Sequence, residues 1–490
     1  MFAKRLPLGF VVMASLACAC ASQNNEPGGS GSGGNVGPTG LGGAGGTSTA
    51  SGGAGGTGTA SGGAGGMGTA GVSGTGGAAG RGGTGGGTGG AGAGGAIGTG
   101  GSGGVTTVGG SENSGTGCTI PAMPSYAALA TNAKLPDPFL SMSGTRIATK
   151  ADWTCRRAEI AAQLQNWELG TKPAKPSQVS GSVTTTAVNV TAGDGTKSIS
   201  FTASISLPAG NGPFPAIIGY IGGSLNSTAV KNLGVAIINF NNDDIAVQNS
   251  ASSRGQGKFY TLYGSTHNAG SMMAWAWGVS RIIDVLEQNA ATSKIDAKHI
   301  GVTGCSRDGK GALVAGAFDE RIALTIPQES GSGGTATWRI SDSQKAAGMN
   351  VQTLSEITGE NDWFTNSFSQ FNNTATKLPY DHHMLLGMVA PRAVLAIDNT
   401  GIDWLTAPSS WGAEQAGRMI FQALGVPDNL GASQVSHGDH CTFQASQEPE
   451  VDAYIKKFLL GQNVTASVNK TDGPAFNPAM WVAWTTPTLP

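Results

Sequence analysis

Residues 298–312 read Lys-His-Ile-Gly-Val-Thr-Gly-Cys-Ser-Arg-Asp-Gly-Lys-Gly-Ala. A short apolar strand runs straight into a small-residue helix start, and Ser306 stands at the junction. That is the layout of a nucleophile elbow, a sharp strand-to-helix turn that lifts a serine hydroxyl above a sheet. Such a turn needs small neighbours, here Gly304, Gly309 and Gly311. The N–H groups that open the new helix can hold an oxyanion. The generic pattern is G-x-S-x-G; this chain has G-x-S-x-x-G, with Asp308 where Gly is usual. A phosphate-binding loop would need Gly-Lys followed by Ser or Thr, and Gly311 fails that requirement.

Working outward, apolar runs at 216–221, 235–240, 300–303, 323–326 and 393–397 read as buried strands. Helical patterns lie between them at 271–287, 309–318 and 411–424. The first has apolar residues at Met272, Trp275, Val279, Ile282, Ile283 and Leu286. Strands alternating with helices predict a mainly parallel sheet covered on both faces. Earlier, 182–190 and 198–205 alternate about a Gly-Asp-Gly turn and read as an antiparallel hairpin. The expectation is an α/β fold: the three-layer sandwich of an α/β-hydrolase.

The chain has 490 residues, 12% of them charged, and 81 glycines. Ordinary globular chains carry about 25% charged residues and about 7% Gly. The excess is local. Over half of the glycines fall between residues 27 and 117, where only Arg81 and Glu112 are charged. Residues 51–60 (SGGAGGTGTA) nearly repeat as 61–70 (SGGAGGMGTA). Such a stretch lacks the apolar surface to offset the entropy of ordering and reads as a flexible tether, roughly 50 Å end to end. Before it, Lys4 and Arg5 precede an apolar run from Leu6 to Ala17, then Ala17-Cys-Ala-Cys-Ala21. This reads as an export signal, too short to span a bilayer. Cleavage after Ala21 competes with lipidation of Cys18 or Cys20. The domain plan is therefore a signal at 1–21, a linker at 22–117 and an α/β-hydrolase domain at 118–490, in a bacterial secreted or cell-surface lipoprotein. With net charge −2 and no basic block, nucleic acid is not an expected partner. No membrane span is expected.

On this fold a triad runs serine, acid, histidine. Of six histidines only His437 and His440 follow the last strand read from the sequence. Export leaves Cys118, Cys155, Cys305 and Cys441, with three disulfide connectivities open. Cys305 directly precedes Ser306, and Cys441 directly follows His440. If those two pair, their Cα atoms lie within about 4.4–6.8 Å and bring nucleophile and base together. The acid would ordinarily follow a late strand, at Asp398 or Asp403.

Here the residues resemble a family. Gly304-Cys-Ser-Arg-Asp-Gly-Lys310 resembles the G-C-S-R-x-G-K motif of glucuronoyl esterases, carbohydrate esterase family 15. The likeness continues through residues 319–331, Trp338-Arg-Ile-Ser-Asp342, Asp381-His-His383, Ala390-Pro-Arg392, Ile402-Asp-Trp-Leu405 and His440-Cys441. Upstream, Lys134-Leu-Pro-Asp-Pro-Phe139 and Trp153-Thr-Cys-Arg-Arg157 match as well. The resemblance implies Ser306 as nucleophile, His440 as base, Glu329 as acid and Arg307 as oxyanion donor. It implies that Lys310, Gln352, Glu360 and Trp404 contact a glucuronoyl sugar. It also implies disulfides Cys305–Cys441 and Cys118–Cys155. Gln352 and Glu360, eight apart, would share a face if that segment is helical.

The implied activity is hydrolysis of 4-O-methyl-glucuronic acid esters, which join glucuronoxylan to lignin alcohols, by a monomer without cofactor or metal. The His and Cys spacing offers no metal site. Two rivals stand beside it: an acetyl-xylan type carboxylesterase, and an inactive carbohydrate-binding module on a Gly-rich stalk.

Overall fold

In the computed structural model, which describes residues 111–490, the elbow stretch forms a strand, Ile295–Cys305, followed after Ser306 by a helix, Arg307–Phe318. The signal read at 1–21 and the linker up to 110 lie outside the described residues. Residues 111–117, assigned above to the linker, pack onto the domain. Ser114–Gly117 form a 3-10 turn, and Glu112 pairs with Lys172 (2.6 Å) and Arg281 (2.7 Å).

The sheet contains β1 (Gln178–Val183), β2 (Ala187–Gly193), β3 (Ser198–Ser206), β4 (Phe214–Tyr220), β5 (Ala236–Phe240), β6 (Ile295–Cys305), β7 (Ile322–Gln328), β8 (Ala393–Asp398), β9 (Leu430–Gln434) and β10 (Asn469–Lys470). Their spatial order is β1-β2-β3-β5-β4-β6-β7-β8-β9-β10. From β5 through β10 neighbours run parallel, while β1, β2 and β3 form an antiparallel flank. The strand expected over 182–190 is two strands. Thr184 Oγ1 accepts from the N–H groups of Thr186 (3.2 Å) and Ala187 (3.0 Å), and this hydroxyl-stabilised turn separates β1 from β2. The hairpin is therefore a three-stranded meander.

Six helices matter for the site: α1 (Lys150–Leu164), α2 (Ser271–Gln288), α3 (Arg307–Phe318), α4 (Leu354–Glu360), α5 (Ala407–Ala423) and α6 (Glu448–Phe458). Side-chain alternation along β4 shows how the sheet is covered. Ala216, Ile218 and Tyr220 join the large apolar cluster with α2, α3 and Ile420 of α5; Ile217 joins a second cluster with Val451, Tyr454 and Ile455 of α6. Helix α2 is more deeply placed than its periodicity implies. Every residue from Ser271 to Leu286 is buried, so it is sandwiched rather than laid on the surface. Its buried Arg281 and Asp284 pair with each other at 2.7 Å. Among the described residues no helix is long and apolar enough to cross a membrane.

Candidate active site

Ser306 has φ +57° and ψ −127°, a conformation that a residue with a side chain holds only when its surroundings enforce it. They do so through two backbone bonds. Ser306 N–H donates to Gln328 O (3.0 Å), and Ser306 O accepts from Lys310 N–H (3.0 Å). A Cβ on Gly304 would lie 2.4 Å from Asp308 O, and one on Gly309 2.6 Å from Gln328 O. Smallness is thus required at 304 and 309, not at 308. The Asp308 carboxyl accepts from Asn242 Nδ2 (2.9 Å), and burial pushes it up to about 6. Arg307 opens α3, whose first N–H groups have no partner within the helix.

Cys305 and Cys441 form a disulfide with Cα atoms 5.7 Å apart, so the segments carrying Ser306 and His440 are joined covalently. The second disulfide is Cys118–Cys155. His440 Nδ1 donates to Glu329 Oε2 (2.8 Å), and Cys441 N–H donates to the same oxygen (3.0 Å). His440 Nε2 is buried and has no hydrogen-bond partner. That leaves it as the nitrogen with a free site for proton transfer. Gln328 Nε2 donates to Glu329 Oε1 (3.2 Å). Burial raises the Glu329 carboxyl, but the bonds from His440, Cys441 and Gln328 outweigh it and leave the pKa below the usual Glu value.

The other two acids are placed elsewhere. Asp398 turns inward, where its Oδ2 accepts from Thr335 Oγ1 (3.2 Å) beside the buried carboxyl of Glu414. Burial pushes both of these carboxyls up; the Asp398 charge raises Glu414 further, whereas the hydrogen bond from Glu414 holds Asp398 lower than burial alone would. Asp403 begins the short turn Asp403–Leu405 and makes no hydrogen bond or ion pair with His440.

The residues implied to hold the sugar gather around this centre. Trp404, 36% exposed, sets its ring edge-on to His440, centroids 4.8 Å apart. Its carbonyl accepts from Gln352 N–H (3.3 Å). Gln352 Nε2 donates to Glu360 Oε2 (2.9 Å). These two do not share a helical face. Thr353 caps α4, so Gln352 lies before the helix and Glu360 at its last turn. Lys310 is buried, its ammonium donating to Ser330 O (2.5 Å), and burial pushes it down to about 8. Both Lys310 and Arg307 sit over the Trp363 ring, at 5.6 and 5.2 Å.

Sequence reasoning did not single out Gln328 or Ser224. Ser224 Oγ donates to Gln328 Oε1, completing a chain from the β4 loop to the Glu329 carboxylate. The one available signal was Gln328's adjacency to Glu329. His437, the other late histidine, brings Nε2 to 3.5 Å from Glu329 Oε1. Cys305, His440 and Cys441 are close enough to suggest a metal cluster, but the disulfide leaves neither sulfur as a thiolate.

A family model described as "Glucuronyl esterase, fungi" matches residues 188–425. The 4-O-methyl-glucuronoyl methylesterase of Hypocrea jecorina is 50% identical over 374 residues, 76% of this chain and 80% of that protein. That of Cerrena unicolor is 49% identical over 385 residues, 76% of this chain and 79% of that protein. A glucuronoyl esterase mutant from Sporotrichum thermophile, solved with methyl 4-O-methyl-beta-D-glucopyranuronate, superposes with TM-score 0.72 at 48% identity, covering 76% of this chain and 100% of that one. These relatives correct one expectation. The chain resembles fungal enzymes, so the bacterial assignment drawn from the N-terminal residues has no support.

Proposed function

The chain belongs to the glucuronoyl esterases, and we propose that it is a serine esterase hydrolysing esters of (4-O-methyl-)glucuronic acid, including those that link glucuronoxylan to lignin alcohols. Ser306 attacks the C6 carbonyl of the uronate ester as His440 Nε2 takes its proton. The backbone N–H and guanidinium of Arg307 receive the negative charge that develops on the carbonyl oxygen, each donor contributing about 2.7–4 kcal/mol. His440 returns the proton to the departing alcohol. Water, deprotonated in turn by His440, then releases the glucuronate from Ser306. Glu329 holds the imidazole in the tautomer whose Nε2 is free and stabilises its cation. Lys310, Gln352, Glu360 and Trp404 hold the sugar.

One observation carries the reading. His440 has one nitrogen fixed on a carboxylate and the other buried and unpartnered, next to a sulfur bridge that starts beside Ser306. The test is hydrolysis of benzyl glucuronate by wild type and Ser306→Ala. The expected loss of kcat is on the order of 10⁶. Comparable turnover by both proteins would overturn the assignment. A wild-type preference for acetylated xylan would replace the uronate by an acetyl substrate.

A further inference from the structure

The loop after β4, residues 221–224 (Ile-Gly-Gly-Ser), takes no part in the roles assigned above except through Ser224. Ile221 has φ +45°, and a β-branched residue in that region is a true outlier. Its backbone is pinned: Ile221 N–H donates to Phe240 O (2.8 Å), and Gly223 N–H folds back onto Tyr220 O (2.9 Å). At the far end of the loop, Ser224 is bonded across β6 to Gln328. The strand register fixes the height. Gly219 of β4 lies opposite Thr303 of β6, so the loop after β4 and the elbow after β6 leave the same edge of the sheet. Its side chain is 54% exposed. Exposure alone would mean nothing for a single Ile. An apolar side chain held outward in a strained conformation, in the loop that leaves the sheet edge carrying Ser306, is different, because such strain persists where the surroundings enforce it and concentrates at functional sites.

The two flanks of Ser306 differ. The groups assigned to the sugar follow β7 or β8 (Gln352, Glu360, Trp404) or lie on α3 (Arg307, Lys310). The β4 flank carries none of them. An ester carbonyl held at Ser306 has two substituents, and the acyl sugar takes the β7–β8 flank. The geometry points to Ile221 as the apolar contact of a leaving-group subsite on the β4 flank, one that receives aromatic or otherwise apolar alcohols. This rests on the uronate esterase reading.

The test compares two probes, benzyl glucuronate and methyl glucuronate, and reads the ratio of their kcat/KM values. Asn tolerates the left-handed region, so Ile221→Asn removes the apolar contact with the least backbone disturbance. The benzyl-to-methyl ratio should fall about tenfold in Ile221→Asn and in Ile221→Gly, the scale of one lost apolar contact in a pocket. Ile221→Val should keep most of the ratio. A ratio unchanged in both Asn and Gly variants, with melting temperatures like that of wild type, overturns the subsite while leaving the esterase reading intact. So does a Val variant that loses the ratio as fully as Asn. A wild type that cleaves neither glucuronate ester but deacetylates xylan overturns the underlying reading, and the subsite with it.

Discussion

Glu329 and Asp398 close adjacent parallel strands, yet they live in opposite environments. Gln328 of β7 pairs with Ile397 of β8, so the next residues, Glu329 and Asp398, stand at the same height. At Glu329 the chain turns to φ +43°, and the carboxylate meets three donors: His440 Nδ1, Cys441 N–H and Gln328 Nε2. Asp398 is the last paired residue of β8, opposite Gln434, and its carboxyl turns into the core toward Thr335 and a second acid, Glu414. In the proposed triad, then, the end of a late strand does not choose the acid. The donors around it do, and the Cys305–Cys441 bridge and the turn at Glu329 gather them at the earlier strand.

The comparison breaks most directly by exchanging the two acids for their amides. Glu329→Gln should lower kcat by about 10⁴, the cost of fixing the wrong imidazole tautomer. Asp398→Asn should stay within several-fold of wild type, because it can still bond Thr335 and Glu414. Steady-state kinetics on methyl glucuronate decides; a large loss in Asp398→Asn with an active Glu329→Gln would exchange the roles.

A second, smaller effect separates the two disulfides. Replacing Cys305 and Cys441 by Ser should cost about 2–4 kcal/mol of stability, as should replacing Cys118 and Cys155. Only the first pair should also lower kcat, since Cys441 N–H is one of the donors that hold Glu329. Equal kcat in the two double variants would mean that the bridge beside Ser306 is purely structural.

The pH dependence of stability should carry opposite signs at the two acids. The folded pKa of Glu329 lies below 4.5, so its contribution is present above that pH and is lost as pH falls through and below it. The folded pKa of Asp398 lies above 3.8 because burial, and to a lesser degree the Glu329 charge, disfavour its ionised form. The unfolded chain then ionises first, and stability falls as pH rises from about 3.8. Urea unfolding from pH 3 to 7 should show Glu329→Gln flattening the acid-side loss and Asp398→Asn flattening the fall on the rising side. Identical slopes in both variants would erase the distinction.

These residues also show what the sequence made legible. The elbow was readable because Ser306 sits between an apolar strand and closely spaced glycines, and the neighbouring Cys305 and Cys441 tied it to His440. The parallel strands with continuous apolar runs were readable for the same local reason. Strand β9 was not: Leu-Gly-Ala-Ser-Gln is fully buried yet carries no apolar run, and its Gly431 is required because a Cβ there would meet the Tyr454 hydroxyl at 2.4 Å. The split of 182–190 depended on one Thr184 hydroxyl in an otherwise regular alternation. The acid was open to residue-level reasoning because strand position favours Asp398 or Asp403, whereas the donors that select Glu329 come from residues 328, 440 and 441, two of them over a hundred positions away. Gln328 and Ser224 stayed hidden for the same reason: their role exists only once β4, β6 and β7 lie side by side.

The smallest expected effect concerns the other histidine. His437 Nε2 lies 3.5 Å from Glu329 Oε1, too long for a well-formed hydrogen bond. Its Nδ1 sits between a donor, Asn399 Nδ2 at 3.1 Å, and an acceptor, Asp439 O at 2.9 Å. Asn399 is itself oriented by Gly401 N–H and His437 N–H, both donating to its Oδ1. In either tautomer Glu329 keeps its three donors from other residues, so His437 contributes positioning and a weak electrostatic contact. His437→Gln should lower kcat about 2–10-fold, the scale of one modest hydrogen bond, and should leave the pH at which the acid limb of kcat/KM turns unchanged. A thousandfold loss, or a displaced acid limb, would make His437 the base and return His440 to a supporting place.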